Sequence, residues 1–279
     1  MKYTAIPLEE KNRNVLFSYY NYDYNAPFCE KIHFHKNYEI ILVENGKMDI
    51  FLDGKNYTLK DNECIIIQPY QAHSFHLHEN SKNFTFNFSS KYISSFDAIA
   101  SKTIIINPIF ILSDISREYI KNTTKELFGR KIFLRSLPEK KQETEIKSIT
   151  YTLCSEILKT AKFLNIENKS QNIIMEVVEY ICDNFEQNIS LKEFAQKHNY
   201  NYQYLSRKFN TVFDTGFKEI LNRYRIEQAI SLLVETDQPI SNVAFASGFQ
   251  SIRSFNDTCL KYYNKTPSKI RSEKTDSNK

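Results

Sequence analysis

The chain has 279 residues, 41% of them hydrophobic and 25% charged, with a formal net charge of +4. That length suits two ordinary domains, and that composition supplies real hydrophobic cores, which excludes a disordered or low-complexity protein. No apolar run reaches membrane-spanning length, and Met1 to Glu10 lacks the apolar core of a signal peptide, so a cytoplasmic protein without a membrane partner is expected. The five cysteines are scattered and form no Cys-x-x-Cys pair, which fits reduced, buried thiols.

Residues 38–67 read as a β-meander. Tyr38 to Val43 is strand-like, Asn45-Gly46 signals a tight turn, and Met48, Ile50 and Leu52 alternate with polar residues. Asp53-Gly54 signals a second turn, Tyr57 and Leu59 continue, and Asp61-Asn62 turns again before Cys64 to Ile67. Phe75 to His78 and Phe84 to Phe88 add further alternating segments. Short strands at this spacing predict an all-β barrel or jelly roll over residues 1–100.

Five of the six histidines fall within residues 33–78. Side chains repeat every second residue on a strand, so His33 and His35 share a face, and the returning chain is expected to bring Glu39 and His73 to the same pocket. Three imidazoles and a carboxylate are a plausible set for Zn, Fe or Mn. The same groups can instead line a pocket mouth and hydrogen-bond an organic effector. The spacing His33-x-His35-x3-Glu39-x6-Gly46 matches the first cupin motif, and Pro69 with His73 matches a shortened second one that lacks the usual glycines. The N-terminal region thus resembles a cupin-like sensor domain. The shortened motif favours the organic effector, so no metal ligand and no cofactor is assigned. His76 and His78 are expected at the surface or the pocket rim.

Residues 101–165 are expected to form a helical linker or dimerisation region. Glu143 to Leu164 carries Ile146, Ile149, Leu153, Ile157 and Leu164 on one helical face. That face either covers the barrel or forms a dimer seam. Residues 166–170 read as a linker, residues 171–271 as an all-α domain, and residues 272–279 as a disordered tail.

The all-α domain contains two helix-turn-helix patterns about fifty residues apart. In the first, Phe194-Ala195 marks the buried face of a short helix, Asn199-Tyr200 the turn, and Tyr202 to Phe213 the second helix. In the second, Val243-Ala244, Gly248-Phe249 and Ile252 to Tyr263 repeat the plan. The residue four places after each alanine must turn left-handed, which glycine does freely and asparagine tolerably. A helix from Phe217 to Glu235 connects them. At about 27 Å it can hold two recognition helices near the roughly 34 Å separation of successive major grooves. Charge agrees: residues 187–279 carry 14 Lys and Arg against 9 Asp and Glu, while residues 1–186 carry 23 against 24.

These residues resemble the DNA-binding domain of AraC/XylS-type bacterial transcription regulators. The carriers are Ile189-Ser190-Leu191, Tyr204 to Phe209, Arg225-Ile226, Ala229, Leu232-Leu233, Ile240, Gly248-Phe249, Phe255, Thr266-Pro267 and Arg271. The sequence departs from the family where Asp257 replaces a basic residue, Cys259 an aromatic, Leu260 a lysine and Asn210 a lysine. The resemblance implies a regulator, an activator more than a repressor, that works with promoter DNA, a small-molecule effector such as a sugar, RNA polymerase and a second copy of itself. Gln203, Ser206, Arg207, Arg253, Ser254 and Asn256 are the expected base readers, with Asp257 facing the second site. Tyr202, Tyr204, Lys208 and Lys218 are better placed for phosphate. The alternatives are a cupin metalloenzyme with a DNA-binding appendage, and a regulator whose N-terminal domain takes a fatty acid or a protein.

Overall fold

A computed structural model describes residues 17–23, 32–128, 133–134, 140–165 and 173–277. The chain divides into two compact units between residues 171 and 172. Among the described residues no helix is long and apolar enough to cross a membrane.

The first unit is β-rich. Its strands are β1 (Phe17–Asp23), β2 (Tyr38–Asn45), β3 (Met48–Leu52), β4 (Lys55–Leu59), β5 (Glu63–Ile67), β6 (His73–Leu77), β7 (Lys82–Phe88), β8 (Thr103–Ile105), β9 (Ile109–Ile111), β10 (Phe133–Leu134) and β11 (Phe163–Asn165). Each strand expected between Tyr38 and Phe88 is present, but their pairing is not that of a meander. One six-stranded sheet has the order β10-β1-β7-β2-β5-β9, and a three-stranded sheet the order β4-β3-β6. Strands β8 and β11 pair separately. Among the described residues the strands form separate sheets and not one closed barrel.

Of the three expected turns, only the one at Asp53-Gly54 makes a two-residue hairpin. Both residues have positive φ, and Leu52 pairs with Lys55. Asn45-Gly46 instead carries the chain from one sheet to the other. Gly46 has a φ of 89°, and a Cβ there would meet the Ser81 side chain at 2.0 Å, so left-handed backbone and close approach together select glycine.

Strand β2 sets the layering, because its two faces enter different cores. Ile40 and Leu42 join Phe84, Phe86 and Phe88 in a core closed by the helix α3 (Lys140–Thr160), through Ile146, Ile149, Leu153 and Ile157. Ile41 and Val43 face Met48, Ile50, Leu52, Phe75 and Leu77 of the three-stranded sheet. Ile146, Ile149, Leu153 and Ile157 of α3 therefore cover the six-stranded sheet, whereas Leu164, expected on the same helical face, lies past the helix end in β11 and is exposed. Residues 101–165 are likewise not a separate connector: β9 adds to the six-stranded sheet beside β5. The helices α1 (Ser94–Ala100) and α2 (Asp114–Phe128) complete this unit.

The second unit is all helical: α4 (Ile173–Asn184), α5 (Leu191–Lys197), α6 (Tyr202–Phe213), α7 (Phe217–Glu235), α8 (Ile240–Ala246), α9 (Ile252–Tyr263) and α10 (Pro267–Ser277). The last helix corrects the expected tail, since it runs on through Ser277. Pro267 at its first position is preset for a helix, and no glycine or further proline follows to stop it.

Candidate functional site

The two helix-turn-helix modules are built alike. Asn201 caps α6 by accepting from the Tyr204 N–H at 3.0 Å, and Ser251 caps α9 by accepting from Ser254 N–H at 3.2 Å. Both helices end in a left-handed residue, Asp214 or Asn264. Helix α5 opens with a full capping box, Ser190 with Glu193. The turn residues adopt the expected conformation, with φ of 58° at Asn199 and 81° at Gly248. Tyr200 N–H donates to the Ala195 carbonyl, and Phe249 N–H to that of Ala244. Gln250 is the one extra residue of the second turn, which shifts the modules from an offset of 49 to one of 50.

Burial then decides which side chains are presented. Leu205, Phe209 and Phe213 hold α6 to its neighbours, and Phe255, Thr258 and Cys259 hold α9. On α6 this leaves Tyr202, Gln203, Tyr204 and Arg207 exposed, with Ser206 and Lys208 half-buried. On α9 Arg253, Ser254 and Asp257 are exposed and Asn256 is half-buried. Lys218 is exposed in the first turn of α7. The departures from the family pattern fall into place: Cys259 is a core residue, Leu260 is exposed, and Asp257 occupies the helix position that Arg207 holds in α6.

The modules differ in electrostatics. Arg253 lies 4.0 Å from Asp257, one helical turn away. Lys261 and the Tyr262 hydroxyl both bond Glu219 of α7, and the Lys261 ammonium holds the Glu219 carboxyl below its ordinary range. These groups, with Asn222, line a groove between α7 and α9. On α6 the guanidinium of Arg207 meets, among the described residues, only the Gln203 carbonyl of its own helix, at 3.3 Å.

Three features escaped the sequence reading. Arg225 of α7 donates from Nε to the Phe185 carbonyl and from Nη2 to that of Gln187, each at 2.7 Å, and so ties α7 to the segment after α4. Glu227 is buried 3.4 Å from Arg223, and burial raises its carboxyl well above the ordinary range. In the first unit, Asn83, Thr85 and Asn87 of β7 are buried, although they alternate with Phe84, Phe86 and Phe88 as a solvent face would. Strand β7 is covered on both sides, so its polar face points inward. Asn83 Oδ1 is buried there without a hydrogen-bond partner.

The histidine cluster lies on the same side of β2 as this polar strip, since Glu39 pairs with Asn87. His33 and His73 exchange backbone hydrogen bonds of 2.8 Å, which sets their rings 4.1 Å apart. His35 Nε2 lies 2.8 Å and His73 Nε2 3.1 Å from the same oxygen of Glu39. All four side chains are buried, and their potential donor atoms lie within 4.8 Å of one another. His76 is exposed, and His78 pairs with Asp49 at 2.8 Å on the surface.

The comparisons with known proteins agree with both halves. A model of the AraC-like ligand-binding domain matches residues 14–142, and one of a helix-turn-helix domain matches residues 194–273. An uncharacterized HTH-type transcriptional regulator of Staphylococcus aureus strain MSSA476 is 33% identical over 101 residues, 36% of this chain but only 14% of its own length. The melibiose operon regulatory protein of Escherichia coli strain K12 is 25% identical over 107 residues, 38% of this chain and 35% of its own. In fold, the unsaturated fatty acid-bound ToxT from Vibrio cholerae strain SCE256 superposes with a TM-score of 0.56 at 16% identity, over 93% of this chain and 96% of that one. A ligand-binding β domain followed by tandem helix-turn-helix modules is the architecture of a ligand-controlled DNA-binding protein. The chain belongs to the AraC family of transcription regulators.

Proposed function

We propose that this chain reads promoter DNA with α6 and α9 and that a small polar molecule, of the sugar type, controls the reading from the N-terminal unit. The observation that carries the proposal is the pair of matched recognition helices, each with a solvated polar face and joined by the 19-residue α7. The cluster of His33, His35, Glu39 and His73 is the proposed effector site. Its extension by Asn83, Thr85 and Asn87 supports a hydrogen-bonding effector over an acyl chain, because burying such groups against hydrocarbon is costly. The protein acts in this reading as an activator that contacts RNA polymerase, in the cytoplasm, and as a homodimer. Tyr151 and Leu158, seven residues apart on α3 and about two-fifths exposed, supply an apolar face for the second copy. Light scattering that returns a monomer at micromolar concentration removes the dimer from the proposal.

Gel-shift titration against the DNA upstream of the gene tests the whole. Arg207→Ala is expected to weaken binding by about 1–3 kcal/mol and to relax the preference at one base pair, since a guanidinium can bond guanine bidentately. Unchanged affinity and preference remove Arg207 from the reading set. Asp257→Arg acts in the opposite direction. It removes a carboxylate from the face where α6 carries Arg207 and releases Arg253 from its partner. Non-specific binding should tighten and its salt dependence steepen by about one unit of slope. A flat response to salt would mean that α9 does not approach phosphate.

A further inference from the structure

The solvent face of α9 is not uniformly polar. Ser251 caps the helix, so Ile252 is its first residue, and its side chain is 43% exposed. Asn256 and Leu260 follow at intervals of four and continue one stripe, with Leu260 47% exposed. The helix packs into its unit through Phe255, Thr258 and Cys259, which leaves Ile252 and Leu260 to solvent. A neighbouring stripe holds Arg253, Asp257 and Lys261, and its charges are answered within the protein: Arg253 lies 4.0 Å from Asp257, and Lys261 bonds Glu219. The same positions of α6, fifty residues earlier, are Tyr202, Ser206 and Asn210, each with a polar group. Single apolar side chains on a surface are ordinary. Two along the base-reading helix, where the matched helix is polar, call for an apolar surface on the DNA. On a base edge in the major groove that surface is the C5-methyl group of thymine.

We propose that Ile252 specifies thymine in the second half-site by packing on its C5-methyl group, with Asn256 hydrogen-bonding an adenine beside it. The inference rests on the reading of α6 and α9 as recognition helices. The N-terminal residues of such a helix meet base edges, and Ile252 opens α9. Its branched side chain is stiff. Against a methyl group it removes apolar surface from water on both sides, whereas against a polar base edge it would strip a hydrogen-bonding group of its solvent. Asn256, one turn further on, carries the donor and acceptor that match adenine N7 and N6. The second half-site is thus A·T-rich and is recognised in part by packing, while Gln203 and Arg207 read the first through hydrogen bonds. One apolar and one polar module tell the two half-sites apart, so the chain binds its site in a single orientation.

The test uses the full chain and a pool of random DNA duplexes. Rounds of selection should enrich a site with two elements, one of them A·T-rich. That site is then resynthesised with deoxyuridine in place of thymidine at one position at a time, which deletes only the methyl group. At one or more thymines the change should weaken binding about fourfold, the contribution of one buried methyl group. The loss should vanish in Ile252→Ala, which would bind both duplexes alike, and persist in Ile252→Val, which keeps a branched apolar surface. An enriched site without thymine, or one that the unaltered chain binds equally well with uracil at every thymine, overturns the proposal. So does a loss of the same size at every such position in Ile252→Ala. In each of these cases a specific site has been found and the regulator reading stands. Failure to enrich any sequence sinks that reading, and this inference with it.

Discussion

Gly248→Ala should destabilise the helical unit by about 3–5 kcal/mol, among the largest effects a single methyl group can have. Two causes add. The residue sits at φ 81°, where an L side chain is strained. A Cβ would also lie 2.3 Å from the Phe185 carbonyl oxygen, 2.8 Å from Arg225 Nε and 2.9 Å from Glu186 Cα. Two of these three atoms are backbone and cannot step aside. Asn199 provides the internal control, since it holds the same conformation at an exposed turn. Asn199→Gly should therefore change stability by no more than about 1 kcal/mol. Urea unfolding followed by helical circular dichroism measures both. Equal midpoints for Gly248→Ala and wild type would show that the second turn is not a packing junction.

The contrast between the two turns marks what a sequence discloses. The spacing from Ala195 to Asn199 and from Ala244 to Gly248 was enough to place both left-handed residues, and the second helix of each module, Tyr202 to Phe213 and Ile252 to Tyr263, has its expected bounds. Local chemistry dictates those features, through caps, periodicity and turn residues. The strands from Tyr38 to Phe88 were legible for the same reason, yet their pairing was not. Alternation reports which residues share a face and not which strand lies next. Thus β2 pairs with β5 and β7, not with β3. The reading of α3 shows the same limit. Ile146, Ile149, Leu153 and Ile157 were correctly placed on its apolar face, Leu164 was not, since it lies in β11 and is exposed, and only the fold revealed that the six-stranded sheet covers the face.

The polar strip on β7 was invisible for a different reason. Asn83, Thr85 and Asn87 between phenylalanines look like the wet side of a strand, and nothing local says that a second sheet closes over them. The histidine cluster was legible as a convergence of residues, because His33, His35 and Glu39 share parity along one stretch. That the carbonyls of Asn37 and Gln71 hold the His35 and His73 rings from behind was not, because those contacts depend on where the chain turns between strands.

Arg225→Ala should cost the helical unit about 3 kcal/mol, with no loss of any group that faces DNA. Arg225 is nearly buried and donates to two carbonyls that follow α4, at 2.7 Å each. Hydrogen bonds from a charged donor contribute about 1.5–3 kcal/mol apiece, and both acceptors would be left in a site too tight to solvate freely. Arg225→Lys should recover less than half of the loss, because a single ammonium cannot reproduce the planar fork that spans Phe185 and Gln187. The Phe185 carbonyl that accepts from Arg225 is also the atom that crowds position 248. The two sites should therefore couple. In a double-mutant cycle the Gly248→Ala, Arg225→Ala chain should be destabilised by at least 1 kcal/mol less than the sum of the single changes, since removing the guanidinium frees the Phe185 carbonyl to move away from the added methyl. Additivity within about 0.5 kcal/mol would show that the turn of the second module and the end of α4 are held independently.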